Sequence, residues 1–349
     1  MSRKIAVVLF NLGGPDGPDA VQPFLQNLFK DPAIIRAPAP IRWMLSRFIS
    51  RTRAPSVKKN YAMMDAGGGS PLLPETKKQA AALEQALAAH YPGDDVKCFI
   101  AMRYWHPFTE DTAKEVEAWQ PDETILLPLY PQFSTTTTGS SLGSWSENYS
   151  RSSKSICCYP FEDAFIDAHV DLIMKAWETA GSPKDVSLLL SAHGLPEKIV
   201  KDGDPYQWQC EQMAAKISAK VPSDWDVVGC YQSRVGPLKW IGPPTEEEIE
   251  KASKACRHIL IAPIAFVSEH IETLVELGEE YREVAEEHGA GSYTPVSALG
   301  THSGFISYLS QLVQDAITSD SELRSCSNGR ICPHEHGDCP HKLADVQAV

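Results

Sequence analysis

The chain has 349 residues, 43% of them hydrophobic and 22% charged, with a formal net charge of −13 from 32 basic and 45 acidic side chains. That is length enough for two domains that need no disulfides to fold, and the acidic balance argues against a nucleic-acid binder. The longest apolar run, 259–267, is too short to span a bilayer. No secretory core precedes the first strand, so the expectation is a cytoplasmic protein with its nine cysteines reduced.

In chain order, β-rich runs fall at 5–10 (IAVVLF), 97–102 (KCFIAM), 124–130 (TILLPLY), 155–159 (SICCY), 186–192 (VSLLLSA), 225–232 (WDVVGCYQ) and 258–267 (HILIAPIAFV). Helical patterns occupy 75–91, 108–119, 165–180, 206–221, 245–253 and 271–289. This alternation predicts βαβ units and mostly parallel sheets with helices on both faces. LFNLGGP (9–15) and LLSAHGLP (189–196) each end a strand in a Gly-containing turn closed by Pro, which suits two similar halves. In such sheets ligands bind beyond the carboxyl ends of the strands. The expected division is 1–165, 166–320 and a Cys-rich tail, 321–349.

From Pro32 to Met64 there is no acid but seven Arg or Lys. Within it IRWMLSRFISR (41–51) alternates bulky apolar and basic residues. It reads either as a surface helix with one buried face or as an amphipathic lip that touches lipid or an apolar substrate. Gly13–Gly14 and Gly67–Gly68–Gly69 fit neither dinucleotide nor P-loop fingerprints, so they read as turns and no nucleotide is expected.

The chemistry concentrates at strand ends. His193 closes a buried strand in a Gly-Pro turn, where an imidazole can take a proton near neutral pH or bind a borderline metal ion. In 263–281 (PIAFVSEHIETLVELGEEY) the strand is expected to end at Val267, with Ser268 as N-cap of a helix over 268–288. Its buried stripe is Ile271, Leu274, Val275 and Tyr281. Glu272, Glu276, Glu279 and Glu283 lie on another face. His270 and Glu272 fall in the first turn, where a carboxylate also gains from the helix dipole. A histidine and carboxylates facing His193 suit a divalent metal and its proton traffic.

The hydroxyl-rich loop 127–141 (LPLYPQFSTTTTGSS), MRYWHP (102–107) and CYQSRVGPLKWIGPPT (230–245) add aromatics with a few arginines. That mix suits a large flat apolar ligand carrying carboxylates. The tail SCSNGRICPHEHGDCPHK (325–342) holds Cys326, Cys332 and Cys339. Three thiolates lack one ligand for a zinc or iron–sulfur site. Local histidines or Cys157 and Cys158 are the candidates, and spacing does not separate the two metals.

Together FNLGGP (10–15), GGGSPL (67–72), RYWHPFTED (103–111), YPQFSTTTTGSS (130–141), LSAHGLPEKIVKDGDPY (190–206), YQSRVGPLKWIGPPT (231–245) and PIAFVSEHIETLVELGEEY (263–281) resemble the ferrochelatase family, in family order to about residue 320. The resemblance implies an α/β fold of two Rossmann-like halves around a porphyrin cleft, the class II chelatase fold. It also implies insertion of Fe²⁺ into protoporphyrin IX as the last step of haem biosynthesis. His193 and Glu272 match the family's catalytic residues, and His193, Glu272, Glu276 and His270 its metal or proton path. Leu12, Arg103, Tyr104, Tyr130, Ser134, Tyr206, Ser233 and Trp240 match positions at the porphyrin. Residues 34–53 match an apolar lip that faces the membrane, which implies peripheral contact with the inner membrane.

The tail is similar to that of members carrying a [2Fe–2S] cluster on three C-terminal cysteines and one internal one. Here the loop that holds the internal cysteine in animal members has none. Cys158 is therefore the expected fourth ligand beside Cys326, Cys332 and Cys339, because in a strand Ile156 and Cys158 share a face. A structural zinc ion is the alternative. Monomer and homodimer are both open. The competing readings are a coproporphyrin ferrochelatase, a chelatase for a more acidic tetrapyrrole such as sirohydrochlorin, and a non-catalytic haem or metal sensor.

Overall fold

A computed structural model of the chain describes residues 2–64, 67–234, 236 and 238–341. The chain divides into two compact units. One comprises Met1–Tyr130, Ser134–Ile156 and Leu309–Glu322; the other comprises Pro131–Phe133, Cys157–Tyr308 and Leu323–Val349. The boundary thus falls before Cys157 rather than at 165. Residues 309–322 return to the first unit, and the Cys-rich tail is part of the second unit rather than a separate appendage. Periodicity could not show this, because chain crossings leave no local pattern.

In the first unit β1 (Lys4–Asn11), β2 (Asp95–Met102), β3 (Glu123–Pro128) and β4 (Lys154–Ile156) run parallel in the order β2-β1-β3-β4. Ile5 to Phe10 are all fully buried, the continuous apolar run of a strand covered on both faces. Ala6, Val8 and Phe10 pack against Phe99, Val116 and Trp145, with the Phe10 and Trp145 rings edge to face at 5.7 Å. The helices of this unit are α1 (Val21–Lys30), α2 (Ala39–Ala62), α3 (Leu72–His90), α4 (Thr109–Trp119) and α5 (Ser140–Asn148).

Helix α2 inverts the usual amphipathic arrangement. Ser46, Ser50 and Ala54 face inward, while Trp43, Met44 and Phe48 are 51%, 60% and 66% exposed. The surface helix does bury one face, but that seam, Ser46, Ser50, Ala54 and Tyr61, is made mostly of small residues, which permit close approach, while Trp43, Met44 and Phe48 point out.

In the second unit β5 (Val186–His193), β6 (Asp226–Gln232), β7 (His258–Pro263) and β8 (Ser292–Pro295) form a parallel sheet in the order β6-β5-β7-β8. Its helices are α6 (Asp163–Thr179), α7 (Glu197–Lys201), α8 (Tyr206–Ser218), α9 (Thr245–Lys254) and α10 (Tyr281–Glu287); α11 (Ser303–Thr318) starts in this unit and from Leu309 belongs to the first. Strand β8 escaped the sequence reading because SYTP is short and only alternately apolar. Strand β7 stops at Pro263 rather than Val267, since proline brings no ladder N–H. The SICCY strand stops at Ile156, so the side-sharing argument for Cys158 does not apply. Among the described residues no helix is long and apolar enough to cross a membrane.

Candidate active site

His193 is the last residue of β5, an inner strand of its sheet, so its ring stands at the carboxyl edge. Gly194 follows because nothing larger fits. A Cβ there would lie 2.9 Å from the Gln232 carbonyl oxygen and 3.3 Å from Trp240 Cε3. The Gly194 N–H donates to that same carbonyl at 2.9 Å, which ties the turn after His193 to the end of β6.

The expected helix over 268–288 starts later and is built differently. It begins at Ile271, runs as a π-helix over Glu272–Glu280 and continues as α10. Ser268 is not its N-cap; the cap position is Ile271, with no side-chain cap bond. The preceding turn is closed instead by Thr273 and Glu269. The His270 N–H donates to Thr273 Oγ1 at 3.0 Å, and the Thr273 hydroxyl donates to Glu269 Oε2 at 2.5 Å. The Ala298 N–H donates to the other oxygen of Glu269. Wider i→i+5 turns shift the buried register: Val275, Leu277 and Tyr281 are inside, but Leu274 is 39% exposed.

This element brings Glu272 to His193. The His193 Nδ1–H donates to Glu272 Oε2 at 3.0 Å. A carboxylate only accepts, so it fixes the neutral ring in the Nδ1–H tautomer and leaves the Nε2 lone pair as the basic site. His270 Nε2 lies 3.7 Å from the same oxygen, and the Phe266 ring packs against both imidazoles. Burial works against a charged His193 ring, but the Glu272 carboxylate, with Glu276 behind it, outweighs burial and lifts the histidine above its ordinary value. For Glu272 burial likewise opposes the charge. His193 and His270 outweigh it and hold the carboxyl well below the usual range.

Glu276 is moved the other way. Burial and the like charge of Glu272 push its carboxyl up. It nevertheless accepts from the Ser233 N–H at 2.8 Å, the Ser233 hydroxyl at 2.5 Å, the Tyr281 hydroxyl at 3.0 Å and the Gln232 amide at 3.2 Å. Ser233 sits at φ +62°, a left-handed conformation that a serine adopts at a cost. The result aims both its N–H and its hydroxyl at one carboxylate. Two adjacent carboxyls with displaced affinities of opposite sign, one next to an imidazole, are an arrangement that acid–base chemistry can use. Among the described residues no three of His, Cys, Asp and Glu are arranged to hold a metal ion. His193, Glu272, His270 and Glu276 assemble as a polar chain rather than as a closed cage.

The other sequence candidates separate by exposure. Leu12, Arg103 and Trp240 are half-buried. Tyr104 is buried, with its hydroxyl donating to Asp31 Oδ2 at 2.7 Å. Tyr130 packs on the first unit's core with its hydroxyl buried. Ser134 is fully buried and caps the π-helical turn Thr135–Gly139, accepting from the Thr136 N–H. The hydroxyl-rich loop is therefore largely internal: Ser134 caps its turn, while the Thr137 and Thr138 hydroxyls are buried with no hydrogen-bond partner among the described residues. Tyr206 opens α8 and is buried beside Cys210. Sequence reasoning missed Asp31, Gln232, Tyr281 and Ser140. For Asp31 one signal existed: it is the acid immediately before the acid-free stretch.

The cysteines of the second unit also converge. Cys157, Cys158, Cys332 and Cys339 are buried and Cys326 is half-buried. The Cys157 and Cys158 sulfurs are 3.3 Å apart, the Cys326 N–H donates to the Cys158 carbonyl, and the Cys157 N–H to the Arg324 carbonyl. The amide of Gln209 donates to Cys332 Sγ at 3.1 Å. A hydrogen bond from Cys332 lowers the Cys339 thiol to about 6. A hydrogen bond to Cys157, then burial, raises Cys158 well above its ordinary value. The tail is shaped by Arg330, whose guanidinium donates to the carbonyls of Cys332, Pro333, His336 and His341 at 2.6–2.9 Å. These thiols lie in one part of the second unit, but among the described residues no three of them are arranged to hold a metal ion.

A profile of the ferrochelatase family matches residues 4–317. The ferrochelatase of Hyphomonas neptunium is 68% identical over 340 residues, 97% of this chain and 95% of that one. The ferrochelatase of Caulobacter vibrioides is 58% identical over 342 residues (97% and 98%), and that of Rickettsia felis 45% over 350 residues (99% and 100%). Among solved structures, the sirohydrochlorin chelatase SirB from Bacillus subtilis subspecies spizizenii in complex with cobalt aligns with a TM-score of 0.50 at 10% identity. That alignment covers 91% of this chain and 97% of that one and is a likeness of fold. With its parallel sheets flanked by helices and relatives this similar along nearly its whole length, the chain belongs to the ferrochelatase family.

Proposed function

We propose that the protein inserts Fe²⁺ into protoporphyrin IX with release of two protons, completing haem, and that His193 and Glu272 carry the chemistry. The observation behind this is the His193–Glu272 contact at a strand end, with Glu276 held behind it by Ser233, Tyr281 and Gln232. A porphyrin loses two pyrrole protons as the metal enters. His193 accepts one at Nε2; the imidazolium so formed is stabilised by Glu272, which keeps its charge. Glu276, whose carboxyl is pushed up, takes part in proton transfer next to it, with His270 flanking the path. Ferrous iron is the substrate here, and an open polar chain fits an ion in transit better than a tight cage.

Of the porphyrin-facing candidates, Leu12, Arg103 and Trp240 retain exposed surface and are assigned to the ring and its carboxylates. Tyr104 supports Arg103 through Asp31, Ser233 holds Glu276, and Tyr130, Ser134 and Tyr206 are assigned to the buried frame of the site. The exposed Trp43, Met44 and Phe48 on α2, with Arg47 stacked 4.9 Å from the Trp43 ring, support peripheral contact of a cytoplasmic protein with a membrane surface. Cys158, Cys326, Cys332 and Cys339 are the residues that would hold a [2Fe–2S] cluster, which supplies one-electron chemistry when bound. Gln209 and Arg330 both hold Cys332, one at its sulfur and the other at its carbonyl.

The test is anaerobic insertion of Fe²⁺, or of Zn²⁺ as an oxygen-stable substitute, into protoporphyrin and coproporphyrin. Faster turnover of protoporphyrin is expected. Preference for coproporphyrin replaces the substrate, and binding without insertion, unchanged in His193→Ala, replaces the enzyme by a sensor.

A further inference from the structure

The acid-free stretch begins directly after one carboxylate that the sequence reading passed over. Asp31 is 4% exposed, and both its oxygens are occupied. Oδ1 accepts from the Ala33 N–H at 2.8 Å. Oδ2 accepts from the Tyr104 hydroxyl at 2.7 Å, from the Ser140 hydroxyl, and from Arg103 Nη2 at 2.9 Å. Arg103 is held a second time, since its Nε donates to Ser140 Oγ at 2.7 Å. Two of the three guanidinium nitrogens are thus locked, while Nη1 has no protein partner among the described residues. Arg103 borders a cavity of about 310 Å³ that Asn27, Lys30, Ser144 and Asn148 also line. Glu110 lines it too, so outside the Arg103–Asp31 pair the cavity carries one charge of each sign, Lys30 and Glu110.

We infer that Asp31 is a positioning residue for substrate carboxylate recognition: it fixes Arg103 so that the free Nη1 edge is presented to a porphyrin propionate. This rests on the assignment of Arg103 to the porphyrin carboxylates made above. The physical reason is entropy. A flexible arginine must be ordered before it can bind a carboxylate, and here Asp31 and Ser140 order it in advance. If Arg103 swings away, Asp31 keeps the Ala33, Tyr104 and Ser140 donors but loses the cation that balances its buried charge. The gain applies only to a ligand that carries a carboxylate, which separates positioning from ordinary folding support.

The experiment compares Zn²⁺ insertion into protoporphyrin IX and into its dimethyl ester, in detergent, for the wild type, Arg103→Ala, Asp31→Asn and Ser140→Ala. Asparagine keeps an oxygen for the Ala33 N–H but removes the charge and puts an NH2, which cannot accept, where Oδ2 met Tyr104, Ser140 and Arg103. For the free acid, Asp31→Asn is expected to raise KM about tenfold with kcat falling less than threefold, and Ser140→Ala to raise KM about threefold. For the ester, both KM values stay at the wild-type level. Equal losses on both porphyrins make Asp31 a structural residue and overturn the inference, as does an unchanged KM for both. If Arg103→Ala itself leaves the preference for the free acid intact, the assignment of Arg103 falls and takes this inference with it. If Arg103→Ala abolishes the preference and Asp31→Asn does not, only the role of Asp31 falls.

Discussion

Gly194→Ala tests how tightly the turn after His193 is packed. The added Cβ would meet the Gln232 carbonyl oxygen at 2.9 Å and Trp240 Cε3 at 3.3 Å. The first contact is with backbone and must open by about half an ångström to become ordinary. Overpacking of this kind costs about 1–3 kcal/mol, while replacing glycine recovers about 0.4–1 kcal/mol through the unfolded chain. The net is about 1–2 kcal/mol of destabilisation, or roughly 2–8 °C in melting temperature for a unit of this size. The same opening displaces His193 by a few tenths of an ångström relative to Glu272, 3.0 Å away. If a displacement of about 1 Å costs about a hundredfold, kcat falls about three- to tenfold. Gly143→Ala is the control. That glycine lies within α5 with open space around its Cβ position, so the change should stabilise by about 0.5–1 kcal/mol. Differential scanning fluorimetry and a continuous Zn-porphyrin fluorescence assay read both effects. A Gly194→Ala protein that melts and turns over like the wild type refutes the claim that close packing here sets the His193 geometry.

Further outcomes follow from the same groups. The His193 ring is lifted by Glu272, and a raised histidine gives stability that is complete below its unfolded value and lost as pH rises through the folded one. Glu272→Gln should therefore move the inflection in kcat/KM toward acid and remove that pH-dependent stability, seen by imidazole NMR titration alongside the rate profile; an unmoved inflection means that His193 does not titrate against Glu272. Tyr281→Phe removes one of Glu276's donors, so its carboxyl should rise further and the acid limb of the profile shift to higher pH, with KM for porphyrin unchanged. Trp43→Ser with Phe48→Ser should weaken sedimentation with anionic vesicles at least tenfold while leaving insertion in detergent intact. Arg330→Ala frees four tail carbonyls and should lower iron and sulfide per chain as purified, read by metal analysis and the visible spectrum.

Much of the scaffold was legible because it is written in short-range patterns. Ile5–Phe10 and Leu188–Leu190 are continuous apolar runs of strands covered on both faces, and helices with regular apolar spacing lie between such runs. His193 was legible for the same reason: a strand end followed by Gly-Leu-Pro has few places to go but a turn at the carboxyl edge, where Gly194 leaves no room for a side chain. Other features depended on partners distant in sequence. Neither the π-helical start at Glu272 nor the role of Thr273 and Glu269 in closing its turn has a composition signal, since Ser268 looked the better cap. That Ser134, Tyr104 and Ser233 serve buried carboxylates and backbone amides was decided by which donor reached which acceptor on folding. The same holds for the outward-facing Trp43 and Phe48, whose helix buries serines instead, and for Asp31, an unremarkable acid until the fold brings Arg103, Tyr104 and Ser140 to it. Residue type determined what chemistry was available to this protein. Burial and long-range pairing, which set the cost of leaving each polar group unsatisfied, decided which residues were free to use it.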